Sequence, residues 1–148
     1  MLSEPIYNDW MEKTQLNKLE QILNKVEPDG RILDVGSGPG FLERLADAVA
    51  TDVDLKNLRK AAGPKVLCSG DALPFADRSF DWVFCIDTLH KLKSADEVKR
   101  VGKKAVISLF CNEHNVMDKV GELRKVGKGE IFIVKTEKEW DAVLVLVP

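Results

Sequence analysis

Residues 31–40 read Arg-Ile-Leu-Asp-Val-Gly-Ser-Gly-Pro-Gly, an apolar run followed by glycine at every second position. The apolar part predicts a short, fully buried strand at Ile32–Val35, and the glycines predict a turn that leads into a helix. A glycine turn lets the backbone approach a ligand closely, because no Cβ stands in the way. It also directs free backbone N–H groups at that ligand. This stretch therefore predicts a ligand site at the end of the first strand.

The spacing of the glycines argues against a nicotinamide dinucleotide. The dinucleotide-binding turn needs a third glycine three positions after its second, and Phe41 stands there in this chain. A nicotinamide dehydrogenase also needs a substrate domain, for which the chain offers no sequence. That reading stays open only as an alternative.

Acidic residues follow three successive strand candidates. Asp34 lies within the first strand, Asp52 closes the segment 48–52, and Asp71 follows the segment 65–68. In an open α/β sheet the carboxyl ends of the strands form the ligand crevice. An acidic residue at the tip of the second strand can accept hydrogen bonds from both hydroxyls of a ribose.

These motifs together resemble those of the class I S-adenosylmethionine-dependent methyltransferases. The resemblance runs from about residue 30 to residue 110, and its motifs occur in the family's order. They are Leu33-Asp-Val-Gly-Ser-Gly-Pro-Gly40, Thr51-Asp-Val-Asp54, Gly70-Asp-Ala-Leu-Pro-Phe75 and Ser79-Phe-Asp-Trp-Val83. The resemblance implies S-adenosylmethionine as the cofactor and methyl transfer as the reaction.

The resemblance also implies roles for the residues at the strand tips. The backbone of the glycine turn would lie against the methionine part of the cofactor, with Asp34 near its amino group. Asp52 would hold the ribose hydroxyls beside Val53, and Asp71 would accept from the adenine amino group beside the Ala72 backbone. The turn residues concerned are Gly36, Ser37, Gly38 and Gly40. Alternatively, Asp34 only ties down the turn, and Asp52 is an exposed residue at a strand end.

Candidates for catalysis follow the fourth strand, in Ile86-Asp-Thr-Leu-His90. Asp87 is expected to face the methyl group, both as a cofactor contact and as a catalytic carboxylate. His90 has a pKa range suited to a general base, although a lone histidine near a strand is often structural. Glu113 and His114, after the fifth strand, are weaker candidates.

The remaining pattern predicts one doubly wound, Rossmann-like α/β domain over residues 1–148. The chain supplies seven strand candidates, and the resemblance implies that they form a mostly parallel sheet with an antiparallel last strand and helices on both faces. Residues 1–28 form an N-terminal helix or lid, and residues 30–148 form the cofactor-binding core. Tyr7 and Trp10 could close over the site or staple the helix to the sheet. Further helices are expected over residues 41–48, 55–62 and 112–126, with Ser94 and Glu97 as a capping box for another.

Composition limits the partners. The chain has 148 residues, 45% of them hydrophobic, and a net charge of −2, which argues against a broad surface for nucleic acid. The lysines and arginine of segment 91–104 are interrupted by acids and predict a solvated helix face. The three cysteines show no metal spacing, so no metal is expected. The chain has no long apolar stretch, and its start lacks the basic and then apolar segments of a signal peptide. We therefore expect the protein in the cytoplasm, away from the membrane.

The methyl acceptor is left open by the sequence. A small molecule would need the N-terminal helix, a second copy or a partner subunit to close the pocket, whereas a protein or RNA could dock on an open cleft. We favour the small molecule slightly. The alternative is a methyltransferase-like partner subunit that binds cofactor without catalysis.

Overall fold

The computed structural model describes the backbone of residues 4–147 and the side chains of residues 9–147. Its strands are β1 (Ile32–Val35), β2 (Val49–Asp52), β3 (Lys65–Leu67), β4 (Phe80–Ile86), β5 (Gly102–Cys111), β6 (Gly129–Lys135) and β7 (Trp140–Leu146). Its α-helices are α1 (Glu4–Val26), α2 (Leu55–Leu58), α3 (Asp96–Val101) and α4 (Val116–Val126). No helix in the described part of the chain is long and apolar enough to cross a membrane.

The seven strands form one sheet in the order β3-β2-β1-β4-β5-β7-β6. Strands β1 to β5 pair in parallel, and β7 pairs antiparallel with both β5 and β6. The predicted doubly wound sheet with an antiparallel last strand is confirmed, and this strand, β7, lies between β5 and β6. The strand order reverses between β1 and β4, and such a switch point is where open α/β sheets bind ligands.

Strand β4 shows how the sheet separates two cores. Its side chains alternate in direction, as they must in a strand. Val83 and Cys85 face the core built with α3 and α4, whereas Trp82 and Phe84 face the core that α1 covers. From α1, Leu19 and Ile22 pack into this second core. The N-terminal helix is thereby part of the folded unit and lies beside the carboxyl ends of the central strands.

The predicted helix over residues 41–48 is wrong. The structure has only a single 3₁₀ turn, Leu42–Arg44, followed by irregular chain up to β2. Leu42 and Ala48 pack in the same core as the buried residues of α1. Because α1 already covers this face of the sheet, the short connection needs no helix of its own.

Two further helix predictions need correction, one at its end and one at its start. The helix expected over 55–62 ends at Leu58, and Asp54 caps its start by accepting from the Lys56 N–H at 3.0 Å. The helix expected from residue 112 begins at Val116, because the Asn112 side chain accepts from the N–H groups of His114 and Asn115. Such side-chain hydrogen bonds compete with helix formation.

The predicted capping box at Ser94 and Glu97 is also wrong. Helix α3 begins at Asp96, and the Ser94 hydroxyl accepts only from the Asp96 N–H at 3.2 Å. The Glu97 carboxylate instead accepts from the Leu73 N–H at 2.9 Å and from Arg100. Glu97 therefore joins α3 to the loop that follows β3, where the sequence predicts Asp71 and Ala72 of the site.

Candidate functional site

A cleft runs along the carboxyl ends of the central strands and consists of two neighbouring cavities. The larger has a volume of about 320 Å³, lies on the side of β2 and β3, and includes Asp52 and Val53. The smaller has a volume of about 180 Å³, lies under α1, and includes Asp34 and Ser37. Four residues line both cavities: Gly36, Gly38, Ile86 and Asp87. The cleft therefore spans the switch point between β1 and β4.

The glycine turn fills the space between β1 and the cleft. The N–H groups of Gly36 and Ser37 both donate to the Thr51 carbonyl oxygen, at 3.0 and 2.8 Å, which fastens the turn to β2. The turn glycines have positive φ angles, and a Cβ at Gly40 would lie 2.5 Å from Cα of Ala61. A Cβ at Gly38 would meet no atom within 4 Å. Gly40 is thus required for packing, whereas Gly38 presents bare backbone to the open cleft.

Asp52 is fixed at the tip of β2 by backbone donors. Its Oδ2 accepts from the Gly38 N–H at 2.8 Å, and its Oδ1 accepts from the Asp54 N–H at 2.9 Å. Each carboxylate oxygen has further lone pairs, so Asp52 can still accept hydrogen bonds from a ligand. Beside it, the Val53 side chain is 72% exposed and lines the larger cavity.

Asp34 is buried next to a second carboxyl group, that of Glu43. Burial, with the charge of Glu43 and then of Asp52, raises the pKa of Asp34 well above its ordinary value, and burial also raises the pKa of Glu43. Apart from Asp34, no side chain of the described residues donates to either Glu43 oxygen. Two buried carboxyl groups in contact share a proton in preference to ionising together. Asp34 lines the smaller cavity, so a cation bound there would favour its ionised form.

Asp87 follows β4 with a φ angle of 53° and is held from both sides. Its Oδ2 lies 2.6 Å from Nζ of Lys18, and its Oδ1 accepts from the Ser108 hydroxyl at 3.3 Å. Burial alone would raise the pKa of Asp87, but the hydrogen bond with Asp141 and the Lys18 ammonium lower it. The carboxylate is therefore ionised and paired at neutral pH.

The other predicted site residues lie at the margin of the cleft or outside it. The Asp71 side chain accepts from the Lys93 N–H at 2.9 Å, and Ala72 is exposed, while the preceding Cys68, Ser69 and Gly70 line the larger cavity. His90 is exposed in the turn Leu89–Lys91, next to the cavity-lining Lys91. Glu113 and His114 are both exposed. Trp10 is 38% exposed, and the Tyr7 side chain lies outside the described residues.

The sequence analysis missed four residues that the structure brings to this cleft. Cys68 is half-buried at the larger cavity. Lys18, Glu139 and Asp141 surround Asp87 from α1 and the β6–β7 hairpin. The sequence did contain a signal for Lys18. It is a charged residue within the apolar stripe of α1, next to Leu19 and four positions before Ile22.

Fold and cleft together define a class I methyltransferase, and comparison with known families supports this class. Residues 33–110 match the family described as "Methyltransferase domain". Because the match covers more than half of the chain, this protein belongs to that methyltransferase family. A search of curated proteins by sequence finds no match.

Solved structures share the fold. A methyltransferase from Thermotoga maritima, described as a possible histamine N-methyltransferase, has a TM-score of 0.73 and 16% identity over 95% of this chain and 94% of that chain. A methyltransferase from Aquifex aeolicus has a TM-score of 0.68 and 19% identity over 99% of this chain and 100% of that chain. A chain from the Haloferax volcanii complex of the Trm112 methyltransferase activator with a methyltransferase has a TM-score of 0.72 and 14% identity, covering 96% and 94%.

S-adenosylmethionine is the cofactor of this methyltransferase, and the cleft suits it chemically. The bare backbone at Gly38 admits close approach of a ligand, and the Asp52 oxygens retain capacity for hydroxyl donors. The Asp34 carboxyl group, which lines the smaller cavity, provides a place for positive charge. Sulfonium and ammonium groups are both cationic, so this acidic edge attracts them.

Proposed function

We propose that this enzyme transfers a methyl group to a nitrogen, oxygen or sulfur nucleophile of a small molecule. The observation that carries the proposal is the position of α1, whose Gln15 and Leu19 form one wall of the smaller cavity. A small acceptor needs a covered pocket, and α1 provides cover on one side without an added domain. An open, flat cleft would suit a protein or RNA acceptor better.

The residue roles of the cofactor cleft belong to the same proposal. Asp52 and Val53 hold the ribose in the larger cavity, and Asp71 with the Ala72 backbone lies toward the adenine. Asp34 binds the amino group in the smaller cavity, with Gly36, Ser37, Gly38 and Gly40 supporting the methionine part. When bound, the cofactor supplies a methyl carbon on a cationic sulfur. The protein's task is then to orient this carbon toward the acceptor and to exclude water.

The geometry favours an acceptor that needs no strong general base. Asp87 is paired with Lys18, and its lowered pKa makes it a weak proton acceptor. His90 is exposed beside the cleft, so it can act as a base only if the acceptor extends outward past Lys91. A neutral amine or a thiolate reacts without prior help from a base. Asp87 then serves to orient the acceptor and the cofactor.

Calorimetric titration with S-adenosylmethionine, with NADH as the control ligand, tests the cofactor cleft. Micromolar binding of the sulfonium cofactor alone is the expected result. Formation of S-adenosylhomocysteine with a panel of small amines, phenols and thiols, compared with protein and RNA acceptors, then tests the acceptor class. Turnover with RNA or protein alone would contradict the small-molecule proposal.

A partner that completes the cleft is a second proposal. The Haloferax methyltransferase occurs in a complex with its activator. In the present chain, apolar side chains lie exposed around the tip of β2 and on the edge strand β3: Val53, Leu55 and Leu67. Light scattering of the purified chain, alone and with cofactor, will show whether a second copy covers them. A monomer with full activity would exclude such a requirement.

A further inference from the structure

Lys18 is a buried cation on α1 surrounded by carboxyl groups from three other segments. Its Nζ lies 2.6 Å from Oδ2 of Asp87, 3.0 Å from Oε2 of Glu139 and 3.3 Å from Oδ1 of Asp141. Its exposed fraction is 0%, as is that of Asp141. A lysine is almost never fully buried unless it is paired, so this contact defines how α1 docks.

The three carboxyl groups come from three places around the cleft. Asp87 follows β4, Glu139 ends the turn between β6 and β7, and Asp141 lies on β7. Glu139 also accepts from the Gln15 side chain at 3.1 Å. Asp87 lines both cavities of the cleft, and Gln15, which contacts Glu139, lines the smaller one. The ammonium of Lys18 thus connects the docking of α1 directly to the wall of the cofactor cleft.

We propose that Lys18 is a positioning residue for methyl transfer: it fixes the Asp87 carboxylate at the wall shared by the two cavities. Docking of α1 thereby becomes a condition for tight cofactor binding. This inference rests on the proposed cofactor cleft. Without the ammonium, α1 loses its charged contact with these carboxyl groups, and the Asp87 carboxylate loses the cation that holds it in place.

Lys18→Met tests the proposal, because methionine keeps the length of the side chain and removes its charge. We expect the dissociation constant for S-adenosylmethionine to rise about tenfold or more, as for loss of a strongly coupled contact. Lys25→Met is the matched control. Lys25 also lies on α1 and pairs with Glu130 on β6, but this pair is exposed, so the affinity should stay unchanged.

A double-mutant cycle with Asp87→Asn separates positioning from general loosening of the fold. If Lys18 acts through Asp87, the double variant will bind cofactor no more weakly than the worse of the two single variants. Additive losses in folded proteins would overturn the proposal. If the wild type binds no cofactor, the proposed cleft is wrong. If the wild type and Lys18→Met bind cofactor equally well, the cleft stands and the role given to Lys18 is wrong.

The pH dependence of cofactor affinity gives a readout that a purely structural role would not change. The titratable groups facing Lys18 are Asp87, Glu139 and Asp141, and Cys85 near Asp87 has its pKa raised to about 12 by burial. Without Lys18, burial of Asp87 is opposed by the hydrogen bonds with Asp141 and Ser108 but no longer by a cation, so its pKa rises. Lys18→Met should therefore lose more affinity than the double variant as the pH falls below neutral. Parallel profiles for both variants would contradict the inference.

Hydrogen exchange of the wild type tests whether cofactor binding is coupled to the docking of α1, even if Lys18→Met fails to fold. Because linkage is reciprocal, a cofactor that needs docked α1 must also stabilise that docking. S-adenosylmethionine should therefore slow amide exchange around residues 15–19 of α1. Unchanged exchange there, with the cofactor bound, would overturn the role given to Lys18.

Discussion

Asp52 is oriented by two backbone N–H groups, from Gly38 and Asp54, before any ligand arrives. Substitution Asp52→Ala should weaken cofactor binding by roughly 1.5–3 kcal/mol, the range for hydrogen bonds to a charged group. This corresponds to about tenfold to a hundredfold in affinity. Calorimetric titration measures the change. Unchanged affinity in a folded variant would mean that the ribose does not lie at the tip of β2.

Gly38 and Gly40 form a matched pair for the glycine turn. Both have positive φ angles, so alanine costs about 1–2 kcal/mol in backbone strain at either position. At Gly40 the new Cβ also meets Ala61, and the total should reach about 2–5 kcal/mol of unfolding free energy. At Gly38 the Cβ projects into open space at the cleft, and we expect weaker cofactor binding with a smaller loss of stability. Urea unfolding and calorimetry separate the two effects, and a reversed order would contradict these assignments.

Among the elements, α3 holds the loop between β3 and β4 through Arg100. Its guanidinium donates to the carbonyl oxygens of Leu73 and Phe75, at 2.9 and 2.8 Å, and to the carboxylates of Asp77 and Glu97. Arg100→Lys should release the loop 70–79, because a single ammonium cannot serve two carbonyl groups and two carboxylates in a planar fork. Faster amide exchange in this loop is the expected result.

Lys103→Met is the control for Arg100→Lys. Lys103 lies on β5 and forms an exposed ion pair with Asp81 on β4, outside the loop 70–79. Its removal should leave exchange of residues 70–79 unchanged. Equal exchange in Arg100→Lys and wild type would show that Glu97 and the Lys93–Asp71 contact fix this loop without Arg100.

The sequence predicted strands better than helices, for a physical reason. Each strand is an apolar run bounded by glycine, proline or an acidic residue, and this pattern depends on few distant contacts. The helix expected over 41–48 failed because α1, far away in the sequence, already covers that face of the sheet. Lys18 was missed for a similar reason, since its partners lie 69 or more residues away. Contacts between distant segments cannot be derived from local periodicity.

At the scale of the whole molecule, folding brings together carboxyl groups that are far apart in the chain. Two such clusters form: Asp87 and Asp141 lie around the Lys18 ammonium, and Asp34 lies beside Glu43. Burial and the nearby Asp87 raise the pKa of Asp141 to about 8, and burial and Glu43 raise that of Asp34. An excess of buried acid thus makes the stability of the entire fold depend on pH.

Raising the pH from about 5 to 8 should destabilise this protein. In this window folded Asp141 keeps a proton that the unfolded chain, with a pKa near 3.8, has lost, so unfolding releases a proton and higher pH favours it. Asp141 lowers the free energy of unfolding by at most about 1.4 kcal/mol per pH unit in this window, and Asp34 acts in the same direction. The lowered pKa of Asp87 has the opposite effect, but only under acidic conditions. Urea midpoints across this range measure the slope. Asp141→Asn, which cannot ionise, should flatten it, and an unchanged slope would show that Asp141 is ionised in the folded protein.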